Sequence, residues 1–133
     1  MCVYSVVMDK EHLSEEQRRV LYEKKTEAPF SGKYINHNEE GFYICAGCGT
    51  RLFASERKFE SKSGWPSFDD AMPGALHQAE DFSFGVKRTE VICANCGGHL
   101  GHVFNDGPKD TTGVRYCINS LALDFDKVED VDI

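Results

Sequence analysis

Two copies of one short element decide the fold of this chain: Cys45-Ala46-Gly47-Cys48-Gly49 and Cys93-Ala94-Asn95-Cys96-Gly97. In a Cys-x-x-Cys turn both thiolates can point at one ion, and the glycine that follows permits a backbone conformation in which amide groups face the sulfurs. Two such turns supply four thiolates, the complete tetrahedral shell of a structural Zn²⁺. The sequence therefore predicts one structural zinc ion per chain, bound by Cys45, Cys48, Cys93 and Cys96.

The segment between the two turns, residues 49–92, is longer than in common zinc fingers and ribbons. The metal would therefore connect two strands that are distant in the sequence. A closed shell leaves no open position for a substrate, so this zinc is assigned to folding and not to catalysis. An iron centre of the rubredoxin type would use the same ligands, and two independent redox pairs or buried free thiols are further alternatives.

The pattern around these turns predicts a helical N-terminal arm on antiparallel β-sheet. Ser14 and Gln17 form a capping box, and the helix should run to about Lys25, before Pro29. Glycine-rich turns then separate short aromatic and β-branched runs. The expected strands are 41–45, 51–54, 82–93, 101–104, 114–119 and 120–125, and a second short helix is expected after Ser67, ending before Pro73.

Composition excludes several classes of protein. The 133 residues fit one domain, 1–133, and 41% apolar with 28% charged residues is typical of a soluble globular protein. No apolar run is long enough to span a bilayer, and the N-terminus lacks the features of a signal peptide, so a cytoplasmic protein is expected. A net charge of −7 disfavours nucleic-acid binding. We also expect a monomer, a flexible segment 1–12 and no membrane partner.

Two cysteines remain outside the predicted zinc site, Cys2 and Cys117. Cys117 lies in an alternating run in which Arg115, Cys117 and Asn119 share one face of a strand. A cation on that face would favour the thiolate, and an amide there could bind a substrate. A buried, inert cysteine on a strand is equally compatible with the spacing.

Three further residues are candidates for a site. His99 and His102 follow directly on the second Cys-x-x-Cys turn, and histidine can deliver a proton near neutral pH. Trp65, the only tryptophan, lies in Gly64-Trp65-Pro66-Ser67-Phe68, where its ring could form the wall of a pocket. Surface histidines, a spare metal site or a tryptophan that fills the core are the alternatives.

Taken together, these motifs resemble the B-type peptide-methionine sulfoxide reductases, which act on the R epimer of the sulfoxide. The resemblance covers about residues 14–125. Its motifs occur in the family's order: residues 26–34, the turn around Cys45, Gly64-Trp65-Pro66-Ser67-Phe68, residues 88–91, His99-Leu100-Gly101-His102-Val103-Phe104, residues 105–108 and Arg115-Tyr116-Cys117-Ile118-Asn119-Ser120.

The resemblance implies a mainly β (α+β) fold of two antiparallel sheets with short N-terminal helices. It implies that Cys117 is the nucleophile and passes through a sulfenic acid. It places Trp65 at the substrate, with His99, His102, Arg115 and Asn119 as the other site residues. The implied substrates are oxidised proteins that carry methionine R-sulfoxide, and the implied reductant is thioredoxin or another thiol.

One position departs from the family. Many members have a resolving cysteine where this chain has Ser63, and serine cannot form the intramolecular disulfide. Cys2 is then the only candidate outside the zinc ligands, unless an external thiol reduces the sulfenic acid. Two other functions are compatible with the cysteine pattern alone: a non-enzymatic zinc-binding interaction module, and a thiol–disulfide exchanger that uses one Cys-x-x-Cys pair.

Overall fold

A computed structural model describes residues 13–82, 85 and 87–127 of the chain. The segment 1–12, which was expected to be flexible, and the candidate Cys2 lie outside the described residues. None of the helices in the described part has the length and hydropathy that crossing a bilayer requires.

The N-terminal helix α1 spans Glu15–Glu23, as the capping box predicts. The Ser14 hydroxyl accepts from the Gln17 amide at 3.1 Å, and the Gln17 side chain accepts from the Ser14 amide at 2.9 Å. Lys24 ends the helix in a left-handed conformation with φ of 59°. The buried side chains of α1, Val20 and Leu21, face the rest of the molecule and join its core.

Nine strands form two antiparallel sheets among the described residues, which confirms the predicted fold class. The smaller sheet has the order β2-β1-β9. The larger sheet has the order β3-β4-β8-β7-β6-β5. The strands are β1 Gly41–Cys45, β2 Arg51–Ala54, β3 Lys58–Phe59, β4 Ser67–Phe68, β5 Leu76–Asp81, β6 Arg88–Cys93, β7 His99–Phe104, β8 Arg115–Ile118 and β9 Leu123–Lys127.

The buried side chains form one core cluster, to which both sheets and α1 contribute. Phe53 of β2 stacks on Phe68 of β4 with ring centroids 4.2 Å apart, and Tyr43 of β1 meets Phe68 edge-on at 5.1 Å. Each of these aromatic side chains is fully buried. Side chains of two sheets thus interdigitate in a shared core.

The expected helix after Ser67 was wrong. Ser67–Phe68 is β4, which pairs with β3 on one side and with β8 on the other. Burial of Phe68 against Phe53 requires the extended backbone, and this packing overrides the local helical pattern. The prediction also missed β5, because the polar run Leu76–Asp81 lies at the edge of the sheet and is mostly exposed.

Several predicted bounds also shift. β1 and β2 match the prediction, whereas among the described residues of the run 82–93 the strand covers Arg88–Cys93. The run 120–125 divides into a 3₁₀ turn, Ser120–Ala122, and β9, Leu123–Lys127. β7 begins earlier than expected, at His99, and β8 is shorter, Arg115–Ile118.

Candidate active site and metal centre

The four predicted ligands meet in one cluster. Cys45 ends β1 of the small sheet and Cys93 ends β6 of the large sheet, and each is followed by a tight turn that presents Cys48 or Cys96. All four sulfurs lie within 4.8 Å of one another. The distance is 3.6 Å both for Cys45–Cys96 and for Cys48–Cys93. The cluster therefore joins the two sheets, as the long separation of the turns predicts.

This geometry fits a metal ion. A tetrahedral Zn²⁺ with bonds of about 2.3 Å to sulfur separates its ligands by about 3.8 Å. Hydrogen bonding between Cys45 and Cys48 raises the pKa of Cys45 and lowers that of Cys48. Four thiolates at these distances repel one another unless a cation lies between them. The convergence of both Cys-x-x-Cys pairs on one point also disfavours the alternative of two independent dithiols.

Two hydroxyl groups support the sulfurs from outside. The Tyr22 hydroxyl of α1 donates to Cys96 Sγ at 3.3 Å, and the Thr50 hydroxyl lies 3.1 Å from Cys48 Sγ. Burial, together with Cys96, raises the pKa of Tyr22, so this donor stays protonated. Hydrogen bonds of this kind fix the ligands and stabilise their negative charge. The bond from Tyr22 also holds α1 against the cysteine cluster.

Cys117 lies in a row of polar side chains that crosses the large sheet. Its register partners are Ser67 on β4 and His102 on β7, and His102 is in turn opposite Glu90 on β6. Register partners in antiparallel strands project from the same face. The half-buried thiol of Cys117 therefore has a hydroxyl on one side and an imidazole on the other.

Arg115 contacts the thiol directly. Its Nη1 donates to Cys117 Sγ at 2.6 Å. Its Nε and Nη2 donate to the two carboxylate oxygens of Asp106 at 2.8 and 3.0 Å, and its guanidinium lies 4.7 Å from the centre of the Phe104 ring. The hydrogen bond to Asp106 raises the pKa of Arg115, and the same bond lowers the pKa of Asp106. A fixed cation therefore faces the sulfur.

A bulge in β7 brings the two candidate histidines to one face. Strict alternation would place His99 and His102 on opposite faces, since they are three residues apart. The register shifts between Val91 and Ile92 of β6, so that His99 pairs with Ile92 while His102 pairs with Glu90. The two imidazole rings consequently lie 5.5 Å apart, centroid to centroid.

Each histidine is held by a buried carboxylate. His99 Nδ1 lies 2.7 Å from Glu90 Oε2, and His102 Nε2 lies 2.8 Å from Asp81 Oδ2. Lys24 binds the second oxygen of Glu90 at 3.2 Å. Burial lowers the pKa of His99 against the opposing effect of Glu90. Within the described part of the chain, the buried Nε2 atom of His99 has no hydrogen-bond partner.

Trp65 and Asn119 are both tied to Glu27. The Trp65 indole N–H donates to the Glu27 carbonyl at 3.1 Å, and the Asn119 side-chain oxygen accepts from the Glu27 amide at 3.0 Å. Asn119 Nδ2 donates to the Leu100 carbonyl at 3.0 Å, and Asn119 itself is only 3% exposed. Asn119 thus connects the loop before β1 with β7 and retains one N–H of its amide for other contacts.

Ser63, where the chain departs from the family that it resembles, lies beside the thiol of Cys117. Ser63 Oγ is 3.5 Å from Cys117 Sγ, and Ser67 Oγ is 3.9 Å away. Ser61 Oγ bridges the two, at 2.9 Å from Ser63 Oγ and 2.6 Å from Ser67 Oγ. The hydroxyl groups of Ser63 and Ser67 therefore line one side of Cys117, and Ser61 connects the two.

Sequence reasoning missed four acidic residues that support the site: Glu27, Asp81, Glu90 and Asp106. Three of them lie in segments that carry the family resemblance: Glu27 in 26–34, Glu90 in 88–91 and Asp106 in 105–108. Asp81 lies in none of these segments. No role was predicted for any of the four, because their partners are contributed by other elements of the fold.

Comparison with known proteins agrees with these features. The profile of the SelR domain matches residues 13–127. The peptide methionine sulfoxide reductase MsrB of Leptospira interrogans is 51% identical over 119 residues, which cover 89% of this chain and 90% of that protein. The MsrB of Methanosarcina mazei is 54% identical over 124 residues, which cover 91% and 86% of the two chains.

One solved structure shows a related fold at low sequence identity. The crystal structure of the Mis18 'Yippee-like' domain superimposes with a TM-score of 0.55 at 17% identity. The match covers 69% of this chain and all of that domain. The likeness concerns the fold alone.

Proposed function

The chain belongs to the SelR domain family, and from this premise we propose that Cys117 is the nucleophile with which it acts as a peptide-methionine (R)-S-oxide reductase. Membership of the family supports reduction of methionine sulfoxide as the activity. The roles of the individual site residues are our proposal. The observation that carries the assignment is the 2.6 Å contact of Arg115 Nη1 with Cys117 Sγ. A guanidinium at this distance favours the charged form of a thiol.

Arg115 acts from a fixed position because Asp106 binds it through both carboxylate oxygens. A bidentate pair of this kind sets the direction as well as the distance of the guanidinium. Arg115 would therefore stabilise negative charge that develops on Cys117 Sγ during the reaction, and its own charge remains beside the sulfur when oxygen is transferred to it. Asp106 is a positioning residue in this scheme.

Trp65 would form the wall for the substrate's methyl group. Its indole N–H bond to the Glu27 carbonyl fixes the plane of the ring. An aromatic face suits both an apolar methyl group and the positive charge that develops on the sulfur. Glu27 itself accepts hydrogen bonds from the amides of Ser120 and Leu121, so the wall is attached to the segment that follows Cys117.

His102 is the better candidate for the proton donor. It is the register partner of Cys117, and Asp81 binds its Nε2, which leaves Nδ1 for the substrate oxygen. His99 is buried, and its lowered pKa favours the neutral ring. With Nδ1–H donated to Glu90, the free Nε2 of neutral His99 is an acceptor. His99 would thus orient a water molecule or the protonated oxygen. Asn119 would hold the surrounding loop, and one N–H of its amide would remain available for the substrate.

The chemical step then balances with one proton. Cys117 Sγ attacks the sulfoxide sulfur and forms an Sγ–S bond, while the sulfoxide oxygen takes a proton from His102. The hydroxyl group then moves from the substrate sulfur to Sγ, the S–O bond and the Sγ–S bond both break, and the electron pair of the Sγ–S bond stays on the methionine sulfur. The products are methionine and the Cys117 sulfenic acid. Two external thiols, or Cys2 and one dithiol, return the sulfenic acid to the thiol with release of water and a disulfide. Thioredoxin is the proposed donor.

The metal centre has a separate role. We assign Zn²⁺ to the four cysteines because the sulfur distances and the all-thiolate donor set fit it. When bound, the ion supplies structural cross-linking of the two sheets and no chemistry. The protein as we propose it is a single domain over residues 1–133, monomeric and cytoplasmic, with oxidised proteins as substrates and no affinity for nucleic acid or membranes.

The decisive experiment replaces the nucleophile. Cys117→Ser should abolish reduction of a blocked methionine R-sulfoxide, while the bound zinc stays at one ion per chain. Single-turnover formation of methionine is measured without a reductant, alongside metal analysis. Methionine formation by the Cys117→Ser protein would contradict the assignment. The parent protein assayed with the separate S epimer tests the stereospecificity.

A further inference from the structure

Phe30 has an unusual environment for an aromatic residue. It exposes 69% of its surface, and its backbone is in the left-handed region with φ of +66°. Residues other than glycine and asparagine rarely adopt this backbone conformation, because Cβ crowds the backbone there. The structure therefore maintains a strained backbone while it leaves a large apolar ring in solvent.

Two residues with a left-handed backbone line the same groove. Among the described residues, three non-glycine residues have a left-handed φ: Lys24, Phe30 and Lys62. Lys24 ends helix α1, which accounts for its conformation. Phe30 and Lys62, with φ of +66° and +63°, both line one groove. Backbone strain that the fold does not require is a feature of binding sites.

The backbone of Phe30 is tied to the segment before Trp65. Its amide donates to the Gly64 carbonyl at 2.6 Å. Gly64 itself has φ of +99°, and a Cβ there would lie 2.6 Å from Pro29 Cβ and 3.3 Å from Phe30 Cδ2. Glycine thus lets the turn that carries Phe30 pack directly on the residue before Trp65. The fold therefore presents the Phe30 ring at a fixed point of the backbone beside Trp65.

The groove lies next to residues that contact the thiol. It has a volume of about 470 Å³, and its lining includes Phe59, Trp65 and Ser67. Ser67 Oγ is 3.9 Å from Cys117 Sγ, so the groove shares a lining residue with the surroundings of the sulfur. Glu60 and Lys62 on its rim carry opposite charges, which leaves no net charge to select a charged partner.

From this arrangement we propose that the groove seats the polypeptide next to the methionine sulfoxide, with an apolar side chain of the substrate against the Phe30 ring. The proposal rests on the function proposed above, because Trp65 borders both the groove and the substrate's methyl group. Free methionine sulfoxide would contact Trp65 and Cys117, but it has no neighbouring residue whose side chain could contact Phe30. The surface therefore selects apolar sequence around the oxidised methionine.

The test compares two peptides with one methionine R-sulfoxide, flanked on both sides either by leucine or by serine. Binding is measured by calorimetry in the Cys117→Ser background, where no turnover occurs. We expect the leucine peptide to bind about tenfold more tightly, which corresponds to about 1.4 kcal/mol. Phe30→Asn should remove this preference, because asparagine tolerates the left-handed backbone without offering apolar surface. Phe30→Leu should retain most of it.

Phe82→Asn is the matched control, because Phe82 is 61% exposed and does not line the groove. It should leave the preference unchanged. Equal binding of the two peptides by the Cys117→Ser protein, or a preference that survives Phe30→Asn, would overturn the proposal. These outcomes are distinct from failure of the proposed function, which shows itself as turnover by the Cys117→Ser protein.

Discussion

A thiol introduced at position 63 should trap the product of the first turnover. Ser63 Oγ lies 3.5 Å from Cys117 Sγ, so the Ser63→Cys side chain would start close to the sulfur that carries the sulfenic acid. Because a thiolate condenses with a sulfenic acid to a disulfide, one equivalent of sulfoxide should oxidise the variant to an internal Cys117 disulfide with loss of water. Attack requires only a short approach of the two sulfurs.

The effect on stability follows from the loop that the bond closes. The two positions are 54 residues apart in sequence. The chain-entropy relation gives about 3 kcal/mol for a 15-residue loop and about 4.7 kcal/mol for a 100-residue loop, so we expect about 4 kcal/mol here. The free energy of unfolding of the oxidised variant should exceed that of its reduced form by about this amount, less any strain in the native state.

Denaturant unfolding before and after one equivalent of sulfoxide measures the difference, and peptide mapping by mass spectrometry locates the bond. The control is Ser63→Cys combined with Cys117→Ser, which should show neither the bond nor the added stability. A persistent sulfenic acid beside a free introduced thiol would refute the geometry on which the argument depends. A bond to one of the zinc ligands would refute it as well.

Three further predictions concern the electrostatics and the metal. Arg115→Met removes a charged hydrogen bond worth about 1.5–3 kcal/mol, so kcat/KM near pH 7 should fall about 10- to 100-fold, and an unchanged kcat/KM would argue against the role of Arg115 at Cys117. Burial lowers the pKa of His99 in the folded state. The neutral His99 side chain therefore makes its full contribution to stability above the unfolded-state pKa of about 6.5, and this contribution is lost as the pH falls below that value. The free energy of unfolding should therefore drop between pH 7.5 and pH 5.5, and His99→Gln should drop less; equal slopes in the two proteins would contradict this. Removal of the metal with a chelator, or Cys93→Ser, should abolish cooperative unfolding followed by circular dichroism, and a metal-free protein with unchanged stability would refute the structural role.

Local patterns predicted the parts of the structure that depend on neighbouring residues. The capping box of Ser14 and Gln17 gave the start of α1, and alternating runs gave β1 and β2 with their observed bounds. The wrong or missing predictions concern strands whose formation depends on residues outside the strand itself. β4 is extended because Phe68 stacks on Phe53, and β5 is a strand only because β6 offers it a pairing partner. Neither cause is visible in the local sequence.

The site shows the same division. The spacing of cysteines identified the four residues that cluster and could hold a metal ion, and the alternation of Arg115, Tyr116 and Cys117 placed the cation beside the thiol. The joint orientation of His99 and His102 was not predictable, because it depends on a bulge in the pairing of β7 with β6. The carboxylate partners of these histidines come from the neighbouring strands β6 and β5, so the contacts depend on the register of strand pairing.

The sequence by itself determined which four cysteines could hold a metal ion, which cysteine we propose as the nucleophile, and the family. These properties depend on residue types at short, regular spacings, where the backbone geometry of a turn or a strand leaves little freedom. Only the tertiary structure decided that Asp81 and Glu90 hold the histidines, that Glu27 fixes Trp65, and that Phe30 borders the same groove. Sheet register and packing, which are properties of the whole fold, select such contacts, and the residue types at short spacings do not.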